Sequence, residues 1–220
     1  LPSLDDKPAS KKKVVGTSKF KVDPTLNDPS KLRFRTYFNL MEKLEDEGTT
    51  VEYKDFDLHN QDKEKINEHN RHLKRAICAF LNRRGGRIYL GVPHQQVVKG
   101  IQMDHYDRDN FKLRIGTLVR EFYPEIDVSE LVKVVYVPVL NKSYWTGKVV
   151  IKIIVKQGDP SKLYSLSRSY MECVIRCDNR SQTMNCAEII EELLIRYTSD
   201  NLAKVPEENF IDPPPLEFAD

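Results

Sequence analysis

The chain of 220 residues is long enough for one substantial domain, and 40% hydrophobic with 31% charged residues is typical of a globular protein with a buried core. No run approaches the roughly 20 apolar residues that cross a bilayer, so no membrane span is expected. The net charge of +2 excludes attraction to nucleic acid through total charge alone. The four cysteines are few for a disulfide framework and favour a reducing compartment, the cytoplasm or the nucleus.

The two ends of the chain differ in charge and lack apolar periodicity. Residues 1–22 contain six Lys and two Asp, whereas residues 200–220 contain six acids, one Lys and the triplet Pro213, Pro214, Pro215. Such segments bury too little apolar surface to offset the entropy of ordering. The composition predicts a basic linker or N-terminal arm over 1–30, a folded domain over 31–199 and an acidic Pro-rich tail over 200–220. The termini are expected to be disordered or extended.

In chain order, the first half of the folded domain predicts a helix, a strand, a longer helix that ends at Gly85, and two strands separated by a turn. Their ranges are 34–44, 49–56, 62–84, 87–92 and 97–101. Side chains alternate between the two faces of a strand, so Glu52 and Lys54 are expected side by side on one face.

The second half predicts a helix, two strands joined by an irregular connection, a further pair of strands, and a last helix. The ranges are 108–122 for the helix, 131–139 and 148–155 for the strands, 171–176 for the start of the further pair, and 187–197 for the last helix. Strands and helices in this mixture predict an α+β fold with one mixed β-sheet flanked by helices.

Glu47 and Glu52 are the candidate catalytic acids and metal ligands. Phosphodiester hydrolysis uses a metal to activate water, and Mg²⁺ or Mn²⁺ prefers carboxylate oxygens. Residues five apart lie on opposite faces of an unbroken strand, so convergence requires Glu47 to precede the strand in a turn at Gly48. Lys54 is a candidate for stabilising charge beside the metal. Alternating charge is also typical of the solvated face of a half-buried sheet.

Several sequence blocks follow one another in a recognisable order. They are Glu47-Gly-Thr-Thr-Val-Glu52-Tyr-Lys54, Arg75-Ala-Ile-Cys-Ala-Phe-Leu-Asn82, Gly85-Gly-Arg-Ile-Tyr-Leu-Gly-Val92, Val98-Lys-Gly100 and Arg176-Cys-Asp-Asn-Arg180-Ser. Together they resemble the core of the Schlafen family, also called the divergent AlbA-type domain, over about residues 45–197. Each block alone is weak, and the order of the blocks carries the resemblance.

The resemblance implies a single Schlafen/AlbA-like lobe and a metal-dependent endoribonuclease that cuts structured RNA with three acids and Mg²⁺ or Mn²⁺. Glu47 and Glu52 match the first two acids. The third acid normally follows the Gly-Val pair, where this chain has Pro93 and His94. His94 is therefore a candidate ligand or proton shuttle, with a turn histidine as the alternative. Asp104 or an acid from a partner chain could compensate.

Related family members join two lobes into an RNA cradle, so the resemblance implies a homodimer or a related Schlafen-like partner subunit. Composite nucleases that trim small-RNA precursors, such as piRNA precursors, have this arrangement. The main alternative is a non-catalytic RNA-binding or scaffold subunit that supports an active partner. A DNA- or nucleotide-binding module is a third reading, although no phosphate-loop motif is present. Cys173 and Cys177 are better explained as buried or half-buried cysteines than as zinc ligands.

Basic residues supply a candidate RNA-binding surface that would contact phosphates rather than bases. Its members are Arg71, Lys74, Arg75, Arg83, Arg84, Arg87, Arg176 and Arg180. A-form RNA presents its phosphates by shape, so such a surface binds without reading sequence. The alternative is a solvated helix face, because Glu64 and Glu68 precede the cluster.

Overall fold

The computed structural model describes residues 35–58, 62–168 and 172–198. The predicted basic arm and the acidic tail lie outside the described residues. No helix within the described ranges is both long and apolar enough to cross a bilayer.

The described ranges contain strands and helices in the following order. They are β1 (Phe38–Asn39), β2 (Val51–Lys54), α1 (Lys63–Leu81), β3 (Gly86–Leu90), β4 (Ile101–Gln102), α2 (His105–Val119), α3 (Val128–Leu131), β5 (Val132–Asn141), β6 (Tyr144–Val155), β7 (Val174–Cys177), β8 (Arg180–Thr183) and α4 (Cys186–Thr198).

Six strands form one mixed sheet, which confirms the predicted α+β class. The strand order is β1-β5-β6-β3-β2, and β4 pairs with β6 beyond the end of β3. The pairs β1–β5 and β2–β3 are parallel, whereas β6 runs antiparallel to β3, β4 and β5. β2 therefore lies at one end of the strand order, paired on one side with β3.

Both faces of this sheet are buried, which the period-two alternation of β3 makes visible. Ile88 and Leu90 join a core that includes the apolar residues of α1 and α2. Tyr89 points to the other face and packs with Phe38 and Tyr53. By the same alternation Glu52 and Lys54 in β2 share one face, as predicted, and the structure shows that this is the α1 face.

Helix α1 begins within one residue of the predicted start and ends at Leu81, three residues before the predicted end at 84. Asp62 caps the N-terminus, since its carboxylate accepts hydrogen bonds from the backbone N–H groups of Glu64 and Lys65. At the other end Gly85 adopts a positive φ of 70° and donates to the carbonyl of Phe80. A Cβ on Gly86 would lie 2.4 Å from the Phe80 ring, so both glycines are needed for the return into β3.

The hairpin β7–β8 packs on α1 rather than joining the main sheet. Asn82, buried at the end of α1, fixes the segment that leads into the hairpin. Its amide nitrogen donates to the carbonyls of Tyr164 and Val174 at 2.7 and 2.9 Å, and its oxygen accepts from the Tyr164 N–H at 2.7 Å. This junction brings β7 across α1 towards β2.

Three predicted segments differ from the structure. The strand expected over 97–101 is reduced to β4 at Ile101–Gln102, and Val97 forms only an isolated bridge with Lys43. The described part of the segment 34–44 contains β1 and turns instead of a helix, because Phe38 and Asn39 pair with β5 and bury Phe38 in the second core. The connection at 141–147 is shorter than expected, since β5 and β6 continue to a tight hairpin turn, although the strand register shifts between Pro138 and Leu140. Lys142 and Ser143 both have positive φ there, the geometry of a two-residue hairpin loop without its usual glycine.

Candidate functional site

Glu47 lies immediately before a tight turn, as convergence with Glu52 requires. The turn closes with a hydrogen bond from the Gly48 N–H to the carbonyl of Val51, where β2 begins. The Glu47 carboxylate folds over the turn and accepts a hydrogen bond from the backbone N–H of Tyr53 at 2.5 Å. One oxygen of this acid therefore supports the backbone of the strand that carries Glu52.

Glu52 is only 5% exposed, and two cationic side chains bind its carboxylate. Arg176 Nη1 lies 2.6 Å from Oε2, and Lys54 Nζ lies 2.7 Å from Oε1. Ser181 Oγ is 3.5 Å from Oε2. Because buried charges are costly without partners, these contacts explain how an ionised carboxylate is tolerated at the α1 face of the sheet.

Arg176 connects three parts of the fold through one guanidinium. It comes from β7, its side chain is 1% exposed, and its Nη2 donates to the carbonyls of Gly48 and Val51 at 3.0 Å each. Its guanidinium carbon also lies 5.2 Å from the centroid of the Phe80 ring on α1. We call Glu52, Lys54 and Arg176 with Ser181 the Glu52 cluster; it binds the turn after Glu47, the edge strand and the hairpin together.

The Glu52 cluster, as arranged here, does not suit a divalent cation. Each oxygen of Glu52 already binds a cationic side chain, so the trio of Glu52, Lys54 and Arg176 carries a formal excess of positive charge. Across 35–58, 62–168 and 172–198, no group of three or more His, Cys, Asp or Glu side chains is placed to hold a metal ion. A Glu47–Glu52 metal site thus requires rearrangement of Arg176 and stays a prediction.

The position expected for a third acid faces a cavity. Pro93 is buried, His94 is exposed, and His94 lines a cavity of about 440 Å³ together with Lys54. His69 and His72, one turn apart on α1, line the same space. Sequence reasoning did not select these two histidines, because their spacing matches no familiar metal motif. Their spacing of three does place them on one face of α1, which is the signal that was available.

The eight predicted RNA-contacting residues divide into accessible and engaged groups. Arg71, Arg84 and Arg180 are exposed. Three others are engaged within the fold: Lys74 with Glu121 at 2.5 Å, Arg75 with Thr183 at 2.8 Å and Arg83 with Glu192 at 3.1 Å.

Arg87 in β3 and Arg176 in β7 are both buried. Neither guanidinium is accessible to a ligand in this conformation. The structure therefore concentrates the candidate phosphate contacts on the three exposed arginines.

The four cysteines are free thiols. Cys173 is buried and Cys177 partly exposed, as their reading as packed cysteines requires. Burial also raises the pKa of the Cys78 thiol to about 12, which keeps it protonated and unreactive at neutral pH.

The mixed sheet, its α1 cover and the Glu52 cluster define a single-lobed α+β domain with a charged site near a sheet edge. The sequence model of the nematode Schlafen-like domain matches residues 14–170, more than half of the chain, so the chain belongs to the Schlafen-like family.

Among solved structures, the chain is similar to the DIP2311 protein from Corynebacterium diphtheriae, at 18% sequence identity and a TM-score of 0.44. That match covers 69% of this chain and 28% of the other. The chain thus spans about a quarter of that bacterial protein's length.

Proposed function

We propose that this chain is an RNA-binding, Schlafen-like subunit that supports a catalytic partner. The observation that carries the proposal is the state of Glu52, whose two oxygens bind Lys54 and Arg176 inside a nearly closed cluster. This arrangement gives the acid a structural role: it joins β2 to the β7–β8 hairpin. Family membership supports the RNA-related class, and transfer-RNA-like or small-RNA precursors are the proposed ligands.

The exposed cations supply the binding surface. Arg71 lies on α1, Arg84 in the turn that leads into β3, and Arg180 at the start of β8. They belong to the elements that surround the Glu52 cluster and contain no base-reading motif, so the expected contacts are with phosphates. Such binding weakens strongly as salt concentration rises, because phosphate neutralisation releases counterions.

The proposal is tested by measuring binding of a fluorescent RNA hairpin to the chain by anisotropy at several salt concentrations. The double variant Arg84→Ala/Arg180→Ala should bind weakly and show a smaller salt slope, since about two phosphate contacts are lost. Arg180→Ala alone and Lys142→Asn form the charge-matched pair, because each removes one exposed cation. Lys142 lies in the β5–β6 turn, whereas β3 pairs with the other end of β6, at residues 151–155. Asn is the replacement because it accepts the positive φ of this position.

Equal loss of binding in Lys142→Asn and in the single variant Arg180→Ala would mean that only total charge matters. Absence of RNA binding by the unmodified chain, alone and with a related Schlafen-like subunit, would overturn the proposal. Size-exclusion chromatography with light scattering of the same samples tests the expected homodimer or mixed complex.

A second candidate function is the metal-dependent endoribonuclease with Glu47, Glu52 and Lys54 as catalytic residues. One observation favours it: the Arg176 guanidinium binds both the carbonyl of Gly48, next to Glu47, and the carboxylate of Glu52. If Arg176 moved away on assembly, the turn and the strand would present both acids to one space. His94 would stand where the third acid is expected, and Mg²⁺ or Mn²⁺ would be the cofactor.

Cleavage of structured RNA with Mn²⁺ or Mg²⁺, with and without a partner subunit, separates the two functions. Glu47→Gln removes a charge but keeps an oxygen that can accept from the Tyr53 N–H, so the fold should survive. Glu45→Gln changes an exposed acid two residues away and is the matched control. If Glu47→Gln loses cleavage but keeps RNA binding while Glu45→Gln cleaves normally, the chain is catalytic. If the unmodified chain binds RNA but does not cleave it with either metal ion, the chain is a non-catalytic subunit.

A further inference from the structure

A cavity of about 440 Å³ opens between the end of β2 and the first half of α1. Its volume falls within the range of about 300 to 1,000 Å³ that is typical of small-ligand pockets. Its inner wall is apolar, because Phe56, Leu73 and Leu90 are all buried core residues that line it. An apolar wall of this size beside a charged cluster is suited to a ligand with one flat apolar part and one charged part.

The remaining walls carry cations and imidazoles. Lys54 uses its ammonium group to bind Glu52 at 2.7 Å, yet 27% of its side chain is exposed and an ammonium has three N–H donors. His69 and His72 come from α1, and the His69 ring lies 5.4 Å from the Phe56 ring, centroid to centroid. His94, in the loop after β3, also lines the cavity. Flat rings and hydrogen-bonding nitrogens thus meet beside one ammonium.

Two acids also border the cavity: Asp55 is near a cation, and Glu68 is near an imidazole. Asp55 lies 3.6 Å from the ammonium group of Lys99, a residue that does not line the cavity. Glu68 lies 4.0 Å from His72 Nε2. Both carboxylates are well exposed, so solvent screens them. The Lys54 end of the cavity is therefore the end that favours an anion.

We propose that this cavity receives one unpaired nucleotide of the bound RNA, with its base against Phe56 and His69 and its phosphate towards Lys54. The inference rests on the proposed RNA-binding function and adds the form of RNA that is selected. A base inside a duplex is stacked on both faces, so only an unpaired or terminal nucleotide can enter a recessed pocket. Stacking on flat side chains accepts every base, so the expected preference is for unpaired structure rather than for a sequence.

The first test uses mononucleotides and the imidazole C2–H signals of the chain in NMR spectra. Titration with AMP or UMP should shift the signals of His69, His72 and His94, whereas His105 at the start of α2 lies outside the cavity and should not respond. Adenosine and inorganic phosphate, each carrying half of the ligand, should bind more weakly than AMP. Unmoved cavity histidines at saturating AMP, or equal responses of all histidines, would overturn the inference.

The second test compares a fully paired RNA hairpin with the same hairpin carrying one bulged nucleotide. The unmodified chain should prefer the bulged RNA about fivefold, a fraction of the stacking contribution of one base on a flat side chain. In the double variant His69→Leu/His94→Ala the preference should disappear while paired RNA still binds. His105→Gln is the matched control and should keep the preference.

The two tests separate this inference from the proposed function. Equal binding of paired and bulged RNA by the unmodified chain overturns the cavity's role and leaves RNA binding intact. If AMP shifts the NMR signals of the cavity histidines but the chain binds no RNA hairpin, the proposed function is overturned instead. The ligand of the cavity would then be a free nucleotide. Should the double variant fold poorly, the single variant His94→Ala, at an exposed position, gives the same comparison with a smaller expected change.

Discussion

Replacing Glu52 by Ala should destabilise the fold strongly, through Arg176. The side chain is 1% exposed, and without Glu52 its guanidinium keeps two carbonyl acceptors, a 3.4 Å contact with the Ser181 hydroxyl and the Phe80 ring. Removing one partner of a buried ion pair costs about 3–5 kcal/mol. Because the carbonyl contacts of Arg176 survive, the expected loss of unfolding free energy is at the lower end, about 3 kcal/mol. That is a large share of the roughly 5–15 kcal/mol by which domains are stable.

Urea unfolding followed by fluorescence of Trp145, the single tryptophan, measures this loss. With a slope of about 2–3 kcal/mol/M, the midpoint should fall by about 1–1.5 M in Glu52→Ala. Glu52→Gln should lose less, about 1–2 kcal/mol, because an amide oxygen can still accept from Arg176. Lys54→Ala should change stability by less than about 1 kcal/mol, since its side chain is partly exposed.

A double-variant comparison isolates the pair. Arg176→Met alone leaves Glu52 buried with only Lys54, so it should also be destabilising. The double variant Glu52→Ala/Arg176→Met should be more stable than the sum of the two single losses by at least about 1 kcal/mol, because neither charge is then left unpaired. Strict additivity of the two changes, or a loss in Glu52→Ala as small as in the exposed control Glu45→Ala, would refute the structural role assigned to Glu52.

Three further predictions concern the support of the site. Gly86→Ala should cost about 1–3 kcal/mol in urea unfolding, because its Cβ would lie 2.4 Å from the Phe80 ring. Asn82→Ala leaves three backbone groups without their partner and should cost about 2–3 kcal/mol, with faster proteolysis around β7 as a second readout. Burial, followed by the Lys54 charge, lowers the pKa of His72. The unfolded chain then binds the proton more readily, so stability should fall as pH decreases below about 6.5, and His72→Gln should reduce this slope.

Local sequence patterns predicted most elements that surround the site. Apolar spacing, the Asp62 cap and the glycine stop define α1 without reference to the rest of the chain. Period-two alternation likewise placed Glu52 and Lys54 side by side, and the position of Glu47 before a turn followed from Gly48. These features depend on residues within one or two turns of each other, so sequence alone carries them.

Features that depend on distant partners could not be predicted in this way. The predicted helix at 34–44 failed because Phe38 gains more from pairing with β5, a hundred residues later, than from local helix formation. His69 and His72 were not selected because α1 and β2 converge only in the folded sheet.

The role of Glu52 shows the same division. Glu52 is a carboxylate, and its strand face follows from the residues beside it. These two properties made it a candidate catalytic acid. Arg176, 124 residues further along the chain, is the partner that engages its carboxylate. Strand face is a property of local backbone geometry, whereas the partners and charge balance of a buried side chain depend on the elements that pack around it. Sequence thus determined where the acid stands, and only the packing of β7 across α1 decided what surrounds it.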